Sequence, residues 1–360
     1  MRIALPTIWF HRGQTEVTKT FKKVFEELGH EVFIHARMGG IGNQPKLEFR
    51  RRGWHDENIW YYNYYDLKKA EFLEKIKQQK IDLVFFNEEY DWELVKMVKK
   101  IGIKVASYLD YLHKDWLKKP SPLEIYDLIL CSTRRAFNMV ENLCLAKWIG
   151  WGMKEENKVI SVKKPYVFFE NVGWGGINDR KGINTLLSVY KLFLKKHPEA
   201  FGSLLIHCQM YFNPDEGNAN KEDFDGVDVI CGSMNLPGLY HMGEVYCYPA
   251  KLDGLGLSLL EAINNGLAII CPDYPPWNEF VEDQYNGILV PIVEERERED
   301  GIAFREVFVD TQKFLEAMEE LYLDKEKRSL FRSNSLYYST RVLNWRLFKD
   351  KIVEALVSIR

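Results

Sequence analysis

The residues best suited to chemistry lie in one stretch, Ala250 to Gly266, reading AKLDGLGLSLLEAINNG. Two acids, Asp253 and Glu261, have seven residues between them, and Gly254 and Gly256 follow the first. Apolar runs precede and follow the stretch, so it reads as strand, glycine loop, helix, glycine stop, strand. Free N–H groups at such a helix start, near Gly256 and Leu257, favour an anion such as a diphosphate. The glycines let the backbone approach it closely. Asp253 at the loop tip can accept hydrogen bonds from sugar hydroxyls. Glu261, roughly 9 Å further along the axis, suits a vicinal diol such as that of ribose. An ordinary helix start uses the same residue types, with Asp253 as the cap and Glu261 on the solvated face.

Two further loops carry matching groups. In GWGGINDRKG, Gly173 to Gly182, the basic pair Arg180 and Lys181 stands just before a helical pattern. Positive charge is unfavourable at a helix start, but Arg as a fork and Lys as a point charge can neutralise a leaving diphosphate. In DYPPWNE, Asp273 to Glu279, the backbone around Trp277 and the Glu279 carboxylate face the same kind of ligand. All three loops follow apolar runs, which places them on the carboxyl-end rim of one parallel sheet.

The elements that position these loops alternate along the whole chain. Strands are expected at 2–10, 31–35, 81–86, 103–108 and 126–132, with helices at 17–28, 66–79, 91–100 and 133–145. A loop with Arg12, Gly13 and Gln14 follows the first strand, 110–122 is another loop, and 38–65 is irregular. After a linker at 150–165 the pattern restarts, with strands at 166–172, 204–208, 227–231 and 287–290 and helices at 183–196 and 235–242. Residues 294–307 are dominated by charge and are expected to form a solvated loop. Helices at 310–322, 325–337 and 341–359 end the chain. Such alternation gives α/β domains with parallel sheets covered on both faces.

Composition narrows the class. The chain has 360 residues, 46% hydrophobic and 28% charged, which suits two globular domains. Residues 1–160 carry 27 basic against 22 acidic side chains, and the remainder 22 against 30. The basic cluster Arg50–Arg52 is short and lies among acids, which argues against nucleic-acid binding. The six cysteines form no CxxC pair, so neither a disulfide framework nor a zinc site is expected. No signal peptide or apolar span of about 18 residues is evident, which points to the cytoplasm. Lysines among Trp and Tyr over 46–80 are compatible with peripheral contact at the inner face of a membrane.

Over 166–292 the chain resembles the retaining GT-B glycosyltransferases of family four, the group related to glycogen and sucrose synthases. Asp253 to Glu261 within DGLGLSLLEAINNG, Arg180-Lys181-Gly182 after VGWGGIND, and CPDYPPWNEFVEDQYNGILVP carry the likeness, and Trp345 resembles the family's aromatic near the last helix. Over 1–150 the likeness is architectural. It implies two Rossmann-like domains facing a cleft: 1–155 on the acceptor side, 160–337 for the nucleotide sugar, and 338–360 as a helix returning to the first domain.

It further implies sugar transfer from a nucleotide-sugar donor to an acceptor sugar, lipid-linked sugar or other hydroxyl, with retention and with no metal or cofactor. The implied catalytic residues are Asp253, Lys181 and Arg180, with Asp110 or His113 in place of the family histidine. The implied donor-binding residues are Arg12, Gly13, Gly254, Gly256, Leu257, Glu261, Trp277 and Glu279. Asp253 replaces the usual Glu, Trp174 stands where many members have a basic residue, and Gly13 is alone where many have two glycines. A GT-B phosphorylase or epimerase, or a non-catalytic sugar- or nucleotide-binding protein, would share these features.

Overall fold

Apolar runs of four to eight residues form strands here because helices cover both faces of each sheet. The computed structural model describes residues 1–10, 12–37, 57–62, 64–154, 158, 164–173, 179–209, 224–232, 234 and 237–359. The chain begins β1 (Arg2–Ile8), α1 (Gly13–Glu27), β2 (Glu31–Arg37), β3 (Ile59–Tyr61), α2 (Lys69–Gln78), β4 (Leu83–Asn87), α3 (Trp92–Lys100), β5 (Lys104–Tyr108), β6 (Leu128–Cys131), α4 (Arg134–Val140) and β7 (Ala146–Trp148). The strands form a parallel sheet in the order β3-β2-β1-β4-β5-β6-β7.

The second run is β8 (Tyr166–Gly173), α5 (Ile183–Lys196), β9 (Leu204–Cys208), β10 (Val227–Cys231), β11 (Gly243–Cys247), α6 (Leu257–Asn264), β12 (Ala268–Pro272) and β13 (Gly287–Val290). It continues with β14 (Ile292–Arg296), β15 (Glu306–Val309), α7 (Thr311–Leu323), α8 (Lys325–Arg341) and α9 (Trp345–Val357). Here the parallel order is β10-β9-β8-β11-β12-β13. One compact unit comprises Met1–Ser132, Ala136–Ile149 and Lys349–Arg360, and the other Thr133–Arg135 and Gly150–Phe348. No helix among the described residues is long and apolar enough to cross a membrane.

Each unit has its own core. In the first, Val17, Phe21, Val24 and Phe25 share the buried face of α1, and the Phe21 ring lies 4.7 Å from that of Phe85 on β4. In the second, Leu186, Tyr190 and Phe193 of α5 and Phe314 and Met318 of α7 cover Phe168, Val245 and Ile270 of the sheet.

Several expected boundaries move, each for a local reason. Helix α1 starts at Gly13 rather than near Val17, because Thr15 buries its hydroxyl by donating to the carbonyls of Ile8 (3.0 Å) and Phe10 (2.7 Å). Helix α4 ends at Val140, and residues 146–148 add the edge strand β7. The loop expected at 110–122 contains 3-10 turns at Lys114–Leu117 and Pro122–Ile125. Of the short helix expected at 235–242, the described part holds a 3-10 turn, Tyr240–Met242. The charged segment 294–307 is not simply a solvated loop: β14 and β15 pair as an antiparallel hairpin. Val307 and Val309 are buried while Arg296–Glu294 (2.5 Å), Arg298–Glu306 (2.7 Å) and Arg305–Glu295 (3.2 Å) pair outside, so the charges mask a period-two pattern. Most of 38–65, including Arg50–Arg52, lies outside the described residues.

His35 on β2 is fully buried, with Nδ1 2.9 Å from the Tyr62 hydroxyl and Nε2 2.9 Å from Gln79 Oε1. Burial, with Lys75 adding to it against the Gln79 hydrogen bond, pushes its pKa from 6.5 down to about 3. The folded chain therefore holds a neutral ring where the unfolded chain takes up a proton. Stability is full above pH 6.5 and is lost as the pH falls toward 3. The unfolding free energy of the wild type, from urea titrations, should fall between pH 6.5 and 4 by on the order of 2–3 kcal/mol more than that of His35→Gln.

Candidate active site

Strand order reverses between β8 and β11, since β9 and β10 extend one way and β12 and β13 the other. Loops leaving the carboxyl ends of two such strands splay apart and leave a crevice for a ligand. Those loops are 174–182, described from Asp179, and 248–256, and they are locked together. Gly182, at φ +75°, lies so near the second loop that a Cβ would stand 1.9 Å from the Pro249 carbonyl oxygen, which makes glycine obligatory. The Lys251 amide donates to the Arg180 carbonyl (2.9 Å). Gly182 is the N-cap of α5, and Asp179 accepts from the first-turn Asn184 amide (2.9 Å) while its other oxygen accepts from Lys251 Nζ (2.5 Å).

This lock brings together the first sequence-predicted groups. Lys181 Nζ donates to Asp253 Oδ2 at 2.6 Å, and both side chains are buried. The Tyr248 hydroxyl donates to the same carboxylate oxygen and accepts from Lys181 Nζ. Arg180 Nη1 stands 3.7 Å from Asp253 Oδ1 and is more open to solvent. Burial pushes the Asp253 carboxyl upward, but Lys181, Arg180 and the Tyr248 hydrogen bond outweigh it and hold it below the usual carboxylate range. Burial lowers the Lys181 ammonium pKa, with Asp253 opposing that shift. On β8, Glu170 is fully buried, and neither oxygen has a hydrogen-bond partner among the described residues. Burial first and the Asp179 charge second push its carboxyl well above 4.5, against Lys181, which favours its neutral form.

Asp253 does not cap α6. Gly256 does so at φ +87°, no side chain caps it among the described residues, and Leu257 opens the helix. Leu259 and Leu260 amides return to the Gly256 carbonyl at 2.9 and 3.2 Å. The first N–H groups of α6 thus lie on the same loop as Asp253 and Gly254. Trp277 is buried edge-on to Tyr248, with ring centroids 6.2 Å apart, and its indole stands where a Cβ on Gly256 would be 3.5 Å away. It walls the loop. Glu261 is half-buried on α6, and its Oε2 accepts from the Tyr240 hydroxyl (2.6 Å). The Glu279 carboxylate accepts from the Arg134 amide (2.5 Å) and the Arg135 amide (2.9 Å). The Arg135 guanidinium donates to the carbonyls of Gly254 (3.1 Å), Pro275 (2.8 Å) and Asp253, and clamps both loops.

The other expected residues belong to the first unit. Its strand order reverses between β1 and β4. Arg12, the N-cap of α1, and Gly13 follow β1 there. Gln14 in the first turn of α1 and Asn87 at the end of β4 bind each other, Gln14 Nε2 donating to the Asn87 carbonyl (3.0 Å) and Asn87 Nδ2 to the Gln14 carbonyl (2.8 Å). Past β5, Asp110 accepts from the Tyr108 hydroxyl and from Ser132 Oγ (3.4 Å), and His113 packs on Trp116 with centroids 5.6 Å apart. Trp174 lies outside the described residues. Sequence reasoning passed over Tyr248, Asp179, Lys251, Arg135 and Tyr240. Asp179, directly before the basic pair, is the one with a local signal, that of an acid ahead of a helix.

Comparison with known proteins gives this site its context. The family model described as Glycosyl transferases group 1 matches residues 155–335. The UDP-N-acetylglucosamine–peptide N-acetylglucosaminyltransferase GtfA subunit of Streptococcus parasanguinis is 26% identical over 279 residues, covering 74% of this chain and 43% of that protein. The GtfA subunit of Limosilactobacillus reuteri subsp. suis is 37% identical over 76 residues, covering 21% and 15%. The chain spans less than half the length of these curated relatives. Two solved structures each align over 100% of this chain and 99% of their own at a TM-score of 0.71 and 14% identity. They are sucrose-phosphate synthase from Thermosynechococcus elongatus and the pneumococcal O-GlcNAc transferase GtfA in complex with UDP and GlcNAc. The fold is therefore GT-B, and with the family model matching half of its length, this chain belongs to the Glycosyl transferases group 1 family.

Proposed function

We propose that this chain transfers a glycosyl group from a nucleoside-diphosphate sugar to an acceptor hydroxyl, with retention and without a metal ion. The observation that carries the proposal is the buried Lys181–Asp253 pair beside the α6 N-terminus, at the reversal point of the donor-side sheet. The diphosphate lies against the first N–H groups of α6 and the guanidinium of Arg180, which is charged and accessible. Asp253, kept ionised and ordered by Lys181 and Tyr248, presents acceptor oxygens to the donor sugar. Glu261 takes the ribose diol. The pneumococcal relative's structure with UDP and GlcNAc supports a UDP-sugar as donor.

In the reaction, the bond from the anomeric carbon to the diphosphate oxygen breaks and the acceptor oxygen bonds to that carbon from the same face. The acceptor proton passes to the departing phosphate oxygen. Arg180, Lys181 and the helix start stabilise the charge that grows there. The acceptor, a sugar, lipid-linked sugar or other hydroxyl, is assigned to residues 1–150, where Asp110 and His113 stand past β5. The six free thiols suit the reducing cytoplasm. Lys75 and Lys68 lie over the rings of Trp60 (3.5 Å) and Tyr64 (4.1 Å), a pairing suited to an anionic lipid surface.

Neutral Glu170 matters for this charge balance, since a third buried carboxylate near Lys181 would draw its charge away from Asp253. Three outcomes check the account. Glu261→Ala should weaken donor binding on the order of tenfold or more by titration calorimetry. Lys181→Gln should lower turnover by about a hundredfold while its far-UV dichroism stays native. Unchanged turnover in both variants contradicts the assignment. Glu170→Gln should keep turnover. Because folding holds Glu170 protonated while the unfolded chain ionises it above pH 4.5, wild-type stability falls as pH rises past that value. The variant should therefore unfold at higher urea than wild type at pH 8, and the gap should close toward pH 4.5.

A further inference from the structure

Glu261 is not held by its own helix alone. A chain of hydrogen bonds runs from it across the sheet to the ends of β9 and β10. The Tyr240 hydroxyl donates to Glu261 Oε2 (2.6 Å), and Asn171 Nδ2 on β8 donates to the Tyr240 oxygen (2.7 Å). Asn171 Oδ1 lies 3.2 Å from Nδ1 of His207 on β9, and His207 Nε2 lies 2.9 Å from the Gly232 carbonyl oxygen. Tyr240 and His207 are buried.

The chain has a direction. A carbonyl oxygen only accepts, so His207 Nε2 donates to Gly232. The Asn171 amide spends an N–H on Tyr240 and turns its oxygen toward the His207 ring. Tyr240, already accepting from Asn171, has its single proton left for Glu261. Burial, followed by the Glu261 charge, pushes the Tyr240 phenol well above its ordinary value, so that proton stays in place.

We propose that Tyr240 and Asn171 are positioning residues that set the Glu261 carboxylate for a vicinal diol, and that they thereby create a preference for ribose over 2′-deoxyribose in the donor. This rests on the reading of Glu261 given above. A carboxylate offers about four acceptor positions, so one bond from Tyr240 at Oε2 fixes its plane without exhausting its capacity. Fixing it in advance removes rotamer freedom that would otherwise be lost when the nucleotide binds.

The test compares the affinities of UDP and 2′-deoxy-UDP by titration calorimetry in the wild type, Glu261→Ala, Tyr240→Phe and Asn171→Ala. The wild type should prefer UDP, and Glu261→Ala should abolish the preference. Tyr240→Phe and Asn171→Ala should each cut it on the order of five- to tenfold, weakening UDP more than 2′-deoxy-UDP, which keeps one of the two hydroxyls. A native far-UV dichroism spectrum of each variant shows that the fold is intact. If Glu261→Ala abolishes the preference while both other variants keep it, the positioning chain is wrong and the Glu261 reading stands. If Glu261→Ala keeps the preference, or the wild type has none, the Glu261 reading fails and takes the proposal with it.

Discussion

A carboxylate and an ammonium group shut away from water are the constraint on which the donor-side rim depends. Removing charges from water is expensive, and a buried pair persists only where further hydrogen bonds satisfy it. Here Tyr248 supplies them, bonded to both Lys181 and Asp253. The pair joins two loops that are 72 residues apart in sequence, so its geometry fixes where the α6 N-terminus stands relative to Arg180. Loss of either partner strands the other charge in the interior at about 3–5 kcal/mol, which ties the integrity of the rim to the two residues that the proposed function places at the chemistry.

The surrounding backbone serves that pair. Gly182 permits an approach to Pro249 that no side chain allows, and Asp179 holds α5 and Lys251 at once. Arg135 clamps the carbonyls of residues 253, 254 and 275. Gly256 in the left-handed region ends the loop and leaves the helix start open to an anion. The glycine-capped α6 start, the buried Asp253 carboxylate and Arg180 at the edge, which the proposed function uses for diphosphate and sugar, are thus consequences of one packed junction.

Much of this was legible in the sequence because it is local. Asp253 and Glu261 are joined by a glycine turn and a short helix, and Arg180-Lys181-Gly182 precedes another helix, so their spacing could be read directly. Strand and helix alternation gave both sheets, because buried parallel strands read as apolar runs. What was not legible depends on distant parts of the chain. Tyr248 sits in VYCYP and reads as core. Tyr240 and Arg135 act on residues 21 and more than 100 positions away. The β14–β15 hairpin was hidden because its outward face carries nearly every charge in the segment. Asp253 as a helix cap was a sound local expectation that Lys181 and Tyr248 overrode.

The central claim is that the donor diphosphate rests on the α6 N-terminus beside Arg180 and Lys181. Backbone hydrogen exchange with and without UDP tests it most directly. The account predicts slower exchange in the presence of UDP for the amides of residues 254–259 and 179–184, with the exposed hairpin amides of 294–306 unchanged. Unchanged exchange in both loops, with protection appearing elsewhere in the chain, would contradict it.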